Sequence, residues 1–347
     1  MTTSTFHCFF AATLLNGAAI ALAQPDNTPQ PTAMPESRKT IGLVVHGGAG
    51  TINRSEMTPE KESTYRGGIE RALTAGWKIL KDGGSSLDAT EAAVRILEDD
   101  ANFNAGKGSD FTSAGTNELD AAIMNGKTLA AGTVAVLKHI KNPISLARLI
   151  MEKSKHVMMD GEGAEAFAKA NGVELVDPKY FFTQRRWDSM QKAKATEKGG
   201  PAGSKKFFDE ELHGTVGAVA LDRDGNLAAA TSTGGKANKL PGRVGDTPII
   251  GAGTYANNAT CAVSGTGDGE FFIMATVAHN VSALMEYGGM KLQEAAKSAL
   301  DKAAKLGGAG GLIAIDKNGS IALPFNTSGM YRGYVDPDGK FVIDIYK

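Results

Sequence analysis

Two strand-like runs, TVGAVAL (215–221) and LAAATST (227–233), flank the polar turn DRDGN (222–226). No other feature constrains the fold as tightly. Thr215 and Thr233 are equidistant from Asp224, the centre of the turn. An antiparallel hairpin in that register sets Leu221 against Leu227 and Thr215 against Thr233, so two hydroxyls meet at its open end. A bulge would slip the pairing by one residue, and a threonine-rich strand pair needs no chemistry to explain it.

The remaining chain supplies strands and helices in alternating groups. TIGLVV (40–45) predicts a buried strand running into the glycine loop HGGAG (46–50). Apolar spacing predicts a helix over 64–82, and Ser85 with Asp88 forms an S-x-x-D start signal for a second. A loop-rich section over 99–115 precedes a strand-like 129–136, then helices over 143–154 and 163–170. Residues 188–214 are charged, contain glycine and lack periodic hydrophobics, which reads as a flexible linker. Beyond the hairpin come helices over 270–287 and 292–306 and a last hairpin over 311–324. This order suits stacked sheets enclosed by helices. The 43 glycines, about 12% against a usual ~7%, fit a chain with many tight turns.

Charge and cysteine content narrow the function. Lys plus Arg (37) nearly balance Asp plus Glu (38), without a basic run, so nucleic acid is not expected as a partner. With two cysteines, Cys8 and Cys261, and six scattered histidines, no zinc-type ligand spacing exists. The apolar stretch 9–23 ends in Ala21-Leu22-Ala23, an A-x-A pattern that predicts a signal peptide over 1–23. A polar, proline-rich leader over 24–39 follows. The absence of Lys or Arg before Arg38 argues the other way, for an unstructured leader throughout. The stretch is too short to prefer a membrane span, so the expected location is periplasmic or secreted, with no membrane partner.

Three segments carry candidate chemistry. A chain cut before Thr215 would give that residue both a hydroxyl nucleophile and a free α-amine, which titrates near ~7.7–8.0 and is a base at neutral pH. Gly214 suits the position before such a cut. In LPGRVGDTP (240–248), Arg243 and Asp246 could hold the carboxylate and ammonium of a zwitterion, or simply pair with each other. In SGTGDG (264–269), the Thr266 hydroxyl and the Gly267 N–H could aim at a developing oxyanion, although such sequences are often only turns.

Taken together with FNAGKG (103–108), ELDA (118–121), HVMMDGEGAEAFA (156–168), GAGTYANN (251–258) and PFNTSGMYR (324–332), these motifs resemble the plant-type asparaginase/isoaspartyl peptidase family of N-terminal-nucleophile hydrolases. The resemblance runs from about residue 40 past residue 324. It implies an α+β, four-layer αββα sandwich, made as a precursor that cleaves itself between Gly214 and Thr215. The products would be an α subunit over 40–214 and a β subunit over 215–347, assembled as an (αβ)₂ heterotetramer. By position, Thr215 is then the nucleophile, Thr233 its neighbouring hydroxyl, and Thr266 and Gly267 the oxyanion hole. Arg243, Val244, Gly245, Asp246, Thr266, Gly267, Asp268 and Gly269 form the substrate-binding set for L-asparagine or β-aspartyl peptides. The resemblance also implies a structural sodium ion on the main-chain carbonyls of Leu97, Glu98, Asp100, Phe103, Ala105 and Lys107, and no cofactor for catalysis.

Three competing readings remain. Glycosylasparaginase, a sister activity, typically carries Asp-Thr-Ile-Gly at the nucleophile and His-Gly-Arg in the binding loop, where this chain has Gly214 and Pro241-Gly242. A dinucleotide fingerprint, GAGTYA (251–256), needs a following helix that this sequence does not predict. A non-catalytic periplasmic amino-acid binder would keep the zwitterion clamp without cleavage.

Overall fold

In the computed structural model, the structure describes residues 40–199 and 214–347. The signal peptide and leader expected over 1–39 therefore lie outside the described residues. In chain order the elements are β1 (Gly42–Gly50), α1 (Pro59–Lys81), α2 (Ser86–Glu98), β2 (Leu119–Asn125), β3 (Ala131–Leu137), α3 (Pro143–Lys153), β4 (Met158–Asp160), α4 (Gly161–Ala170) and α5 (Gln184–Gly199). After residue 213 come β5 (Val216–Leu221), β6 (Leu227–Thr233), β7 (Thr254–Ala256), β8 (Cys261–Gly267), α6 (Gly269–Ala275), α7 (Val277–Glu286), α8 (Leu292–Lys305), β9 (Gly310–Asp316), β10 (Ile321–Ala322), β11 (Gly329–Val335) and β12 (Phe341–Tyr346).

The strands form an eight-stranded sheet in the order β12-β11-β1-β5-β6-β2-β3-β4 and a four-stranded sheet in the order β10-β9-β8-β7. Strand alternation assigns side chains to layers. In β5, Val216, Ala218 and Ala220 face the core shared with α1, α2 and α3, while Val219 and Leu221 face the second sheet. In β1, Leu43 and Val45 face the helices, and Val44 faces the second sheet. On the far side, Phe272, Val281, Ala296 and Leu300 of α6, α7 and α8 pack on Cys261, Val263, Leu312 and Ala314 of the small sheet. Three apolar layers thus separate four layers of elements, helix–sheet–sheet–helix.

Helix ends follow the local signals. Thr58 caps α1 by accepting from the Lys61 N–H, and Pro59 opens it; Ser85 caps α2 by accepting from the Asp88 N–H. The hairpin pairs Leu221 with Leu227 and Val216 with Ser232, which sets Thr215 opposite Thr233.

Several elements depart from the sequence reading. The HGGAG segment is strand throughout, with its pairing to β11 shifting between His46 and Gly48. The predicted 270–287 helix is two helices, broken at Thr276, which adopts the left-handed conformation (φ 47°). Strands β2, β11 and β12 were not expected. The expected linker over 188–214 begins as helix: α5 continues to Gly199 with Met190 and Ala193 buried, and the part over 200–213 lies outside the described residues.

Candidate active site

The hairpin's open end forms the centre of the site. Thr215, 8% exposed, donates from Oγ1 to Thr233 Oγ1 at 3.1 Å. The same Thr233 oxygen accepts from the Gly235 N–H at 3.1 Å, which fixes its orientation. Gly214, Thr215, Thr233, Gly235, Arg243, Gly245, Asp246, Gly267, Asp268 and Gly269 line one cavity of about 10 Å³, room for no more than one water. Val244 and Thr266 do not line it. Thr266 is wholly buried, and its Oγ1 accepts from the Ala49 N–H at 3.2 Å, leaving its own proton to donate. The neighbouring Gly267 holds φ 143°, and a Cβ there would stand 2.3 Å from the Ala309 carbonyl. Only glycine fits at this point.

The charged pair behaves as two separate groups. Arg243 is engaged by Glu270: Nε donates to Oε1 at 3.0 Å and Nη2 to Oε2 at 2.8 Å. Burial alone would raise Glu270, but the hydrogen bonds and charge of Arg243 outweigh it and bring the carboxyl down to about 2. The fork on Nε and Nη2 leaves the Nη1 edge of the guanidinium for another carboxylate. Asp246 is 4% exposed, and its Oδ2 has no hydrogen-bond partner among the described residues. Burial raises its pKa to about 6 against the opposing pull of Arg243. A Cβ on Gly269 would stand 2.9 Å from Asp246 Oδ1 and 3.0 Å from Arg243 Nη2, so both heads converge at this bare residue. The Asp268 carboxylate turns away to accept from the Ala309 N–H at 2.9 Å.

Several residues in and beneath the site were not singled out from sequence. His46 Nε2 lies 2.8 Å from Ser264 Oγ, which lies 2.8 Å from Thr231 Oγ1; Thr254 Oγ1 donates to the latter at 2.7 Å. This chain bridges the two sheets under Thr215. Burial lowers the His46 pKa to about 3, with a weaker opposing pull from the Thr215 main chain, so the ring is neutral. Glu118 accepts from the Gly242 N–H at 2.8 Å, and the buried Lys239 donates to the Glu118 carbonyl at 3.1 Å, bracing the 238–246 loop. Glu270, also not singled out, had a readable signal: its carboxylate stands one residue beyond the Ser264–Gly269 run.

The positions expected to hold sodium lie at the end of α2 and in the loop after it, where they would offer main-chain carbonyls and where bare glycines let the chain approach two of them. A Cβ on Gly106 would stand 2.3 Å from the Glu98 carbonyl, and one on Gly108 would stand 2.0 Å from that of Phe103. Uncharged, hard oxygens suit an alkali ion. The Lys107 ammonium does not compete for that space, since it lies over the Tyr180 ring, 5.7 Å from its centroid. The Glu98 side chain points elsewhere, accepting from the Ile144 N–H and the Ser232 hydroxyl.

The sandwich thus brings the threonine pair of the hairpin into one cavity with Arg243 and Asp246, and the chain's relatives give the class, a hydrolase of amide and isopeptide bonds. A family described as asparaginase matches residues 39–343, and the chain belongs to that family. It is 52% identical over 299 residues to an isoaspartyl peptidase of Escherichia coli, covering 84% of this chain and 92% of that protein. It is 44% identical over 289 residues to the isoaspartyl peptidase/L-asparaginase of Bos taurus, covering 83% and 91%. A probable isoaspartyl peptidase/L-asparaginase of Arabidopsis thaliana is 40% identical over 328 residues, covering 88% and 98%. The GAGTYA segment ends in β7 and is followed by β8 rather than a helix, which removes the dinucleotide reading.

Proposed function

We propose that this protein is a self-cleaving threonine amidohydrolase that removes β-aspartyl residues from peptide N-termini and converts L-asparagine to L-aspartate and ammonia. The observation that carries the reading is the hydroxyl pair Thr215–Thr233 at 3.1 Å, in one cavity with Gly214, Arg243 and Asp246. The names of the relatives above support the same substrates.

In the first reaction Thr215 Oγ attacks the Gly214 carbonyl carbon. The hydroxyl proton passes to the Thr215 nitrogen as the amide C–N bond breaks, leaving an ester that water hydrolyses. The new α-amine then serves as base for the same hydroxyl. Arg243 holds the substrate's α-carboxylate and ionised Asp246 its α-ammonium, which brings the side-chain carbonyl to Thr215. The Thr266 hydroxyl and Gly267 N–H stabilise the tetrahedral oxyanion. Ammonia or a peptide amine leaves with the transferred proton, and water releases L-aspartate. A sodium ion on the carbonyls of residues 97, 98, 100, 103, 105 and 107 would stiffen the loop behind Thr233 and take no part in these steps. The working form would be an (αβ)₂ assembly, exported after removal of residues 1–23.

Mass spectrometry of active protein tests the reading. Two chains, one beginning at Thr215, are expected. An active, uncut chain of the same preparation overturns it.

A further inference from the structure

We propose that Arg186, in the first turn of α5, is a positioning residue for the self-cleavage step; the inference rests on the cleavage reading above. Arg186 is 2% exposed, although α5 is otherwise polar and largely solvated. Its Nε donates to the Gly108 carbonyl at 2.8 Å and its Nη1 to Asp110 Oδ1 at 3.2 Å. Its Nη2 lies 3.9 Å from the point where a Cβ would stand on Gly214. Asn104 closes on the same point, with its Cβ at 3.1 Å and its N at 3.4 Å.

Asn104 also reaches the other side of the site. Its Nδ2 donates to the Gly235 carbonyl at 2.6 Å, its Oδ1 accepts from the Asp110 N–H at 2.9 Å, and its carbonyl accepts from the Gly234 N–H at 3.1 Å. One hydrogen-bonded wall therefore runs from α5, past Gly214, to the turn behind Thr233. Further along the helix, Lys194 Nζ donates to the Ser113 carbonyl and Glu197 accepts from Asn238 Nδ2, so α5 is held along its length.

A buried ion pair is costly to desolvate, and apolar residues of similar volume would anchor a helix at least as well. The planar fork of arginine supplies what apolar packing lacks, which is fixed direction. Gly214 has no side chain to hold it in place, yet attack needs its carbonyl carbon within ~3–3.5 Å of Thr215 Oγ. Arg186 and Asn104 supply that restraint from the upstream side. Arg186 makes and breaks no bond in the reaction; it sets how often the reacting atoms are in line.

The test follows loss of the uncut chain with time, by intact mass, in the full-length protein. Arg186→Gly and Arg186→Gln are expected to cleave at least tenfold more slowly than the unchanged chain. Methylguanidinium at millimolar concentration should restore most of the rate to Arg186→Gly without moving its melting temperature, and should leave Arg186→Gln slow. A cleavage rate for both variants within twofold of the unchanged protein overturns the proposal. So does slow cleavage of Arg186→Gly that methylguanidinium fails to accelerate, since that is the signature of a purely structural anchor. If the unchanged chain is active and never cleaves, the cleavage reading itself fails, an outcome distinct from variants that cleave normally.

Discussion

In the proposed reaction Thr215 would act once on its own chain and then repeatedly on substrate, so its two roles would share one oxygen. Thr215→Ala should leave a single inactive chain, as seen on a denaturing gel. Asp246 offers a pH handle. Its carboxyl must be ionised to hold an ammonium, and its pKa is raised to about 6, so kcat/KM for L-asparagine should fall as pH drops through about 6. The sign for stability is opposite. A carboxyl whose folded pKa lies above its unfolded value favours the fold below the unfolded pKa, and that contribution is lost as pH rises through the folded one. Asp246→Asn should therefore raise the melting temperature at pH 8 by a few degrees, seen by calorimetry, while weakening substrate binding by about 10–100-fold, the scale of a charge-assisted hydrogen bond. Glu270→Ala frees the guanidinium of Arg243 to wander, and KM should rise about tenfold with self-cleavage unchanged.

At the scale of elements, the hairpin and its turn were legible because period and turn chemistry agree. The same holds for α1, where Tyr65, Ile69, Ala72, Leu73, Gly76 and Leu80 form one buried stripe, and for α2, whose Ser85 cap announces it. Helix α5 was hidden because Arg186 occupies an anchor position, leaving only Met190 and Ala193 to mark the inward face. Strand β2 was hidden by the acidic Glu118 and Asp120, buried residues that pattern reading assigns to solvent. In the site, Thr215, Thr233, Arg243 and Asp246 were readable from local sequence. His46, Ser264 and Thr231 were not, because their meeting depends on two sheets packing face to face across a separation of 218 residues. Packing between elements also predicts a sensitive point. A methyl on Gly132 of β3 would stand 1.9 Å from the Ala147 carbonyl of α3, so Gly132→Ala should cost about 2–3 kcal/mol, measured by urea unfolding, or prise the helix from the sheet.

For the whole molecule, the break between Gly214 and Thr215 would fall inside one structural unit, not between two. Strand β5 is paired with β1 on one side and β6 on the other, so the two chains should stay together after cutting and separate only under denaturing conditions, which native mass spectrometry would show. Gly214, the residue that would be cut away from Thr215, is also part of the cavity wall. Under the proposed reading each copy would be its own first customer, and a newly made population would ripen rather than switch on. The cutting step itself should be first order and indifferent to dilution, because no second molecule takes part in it.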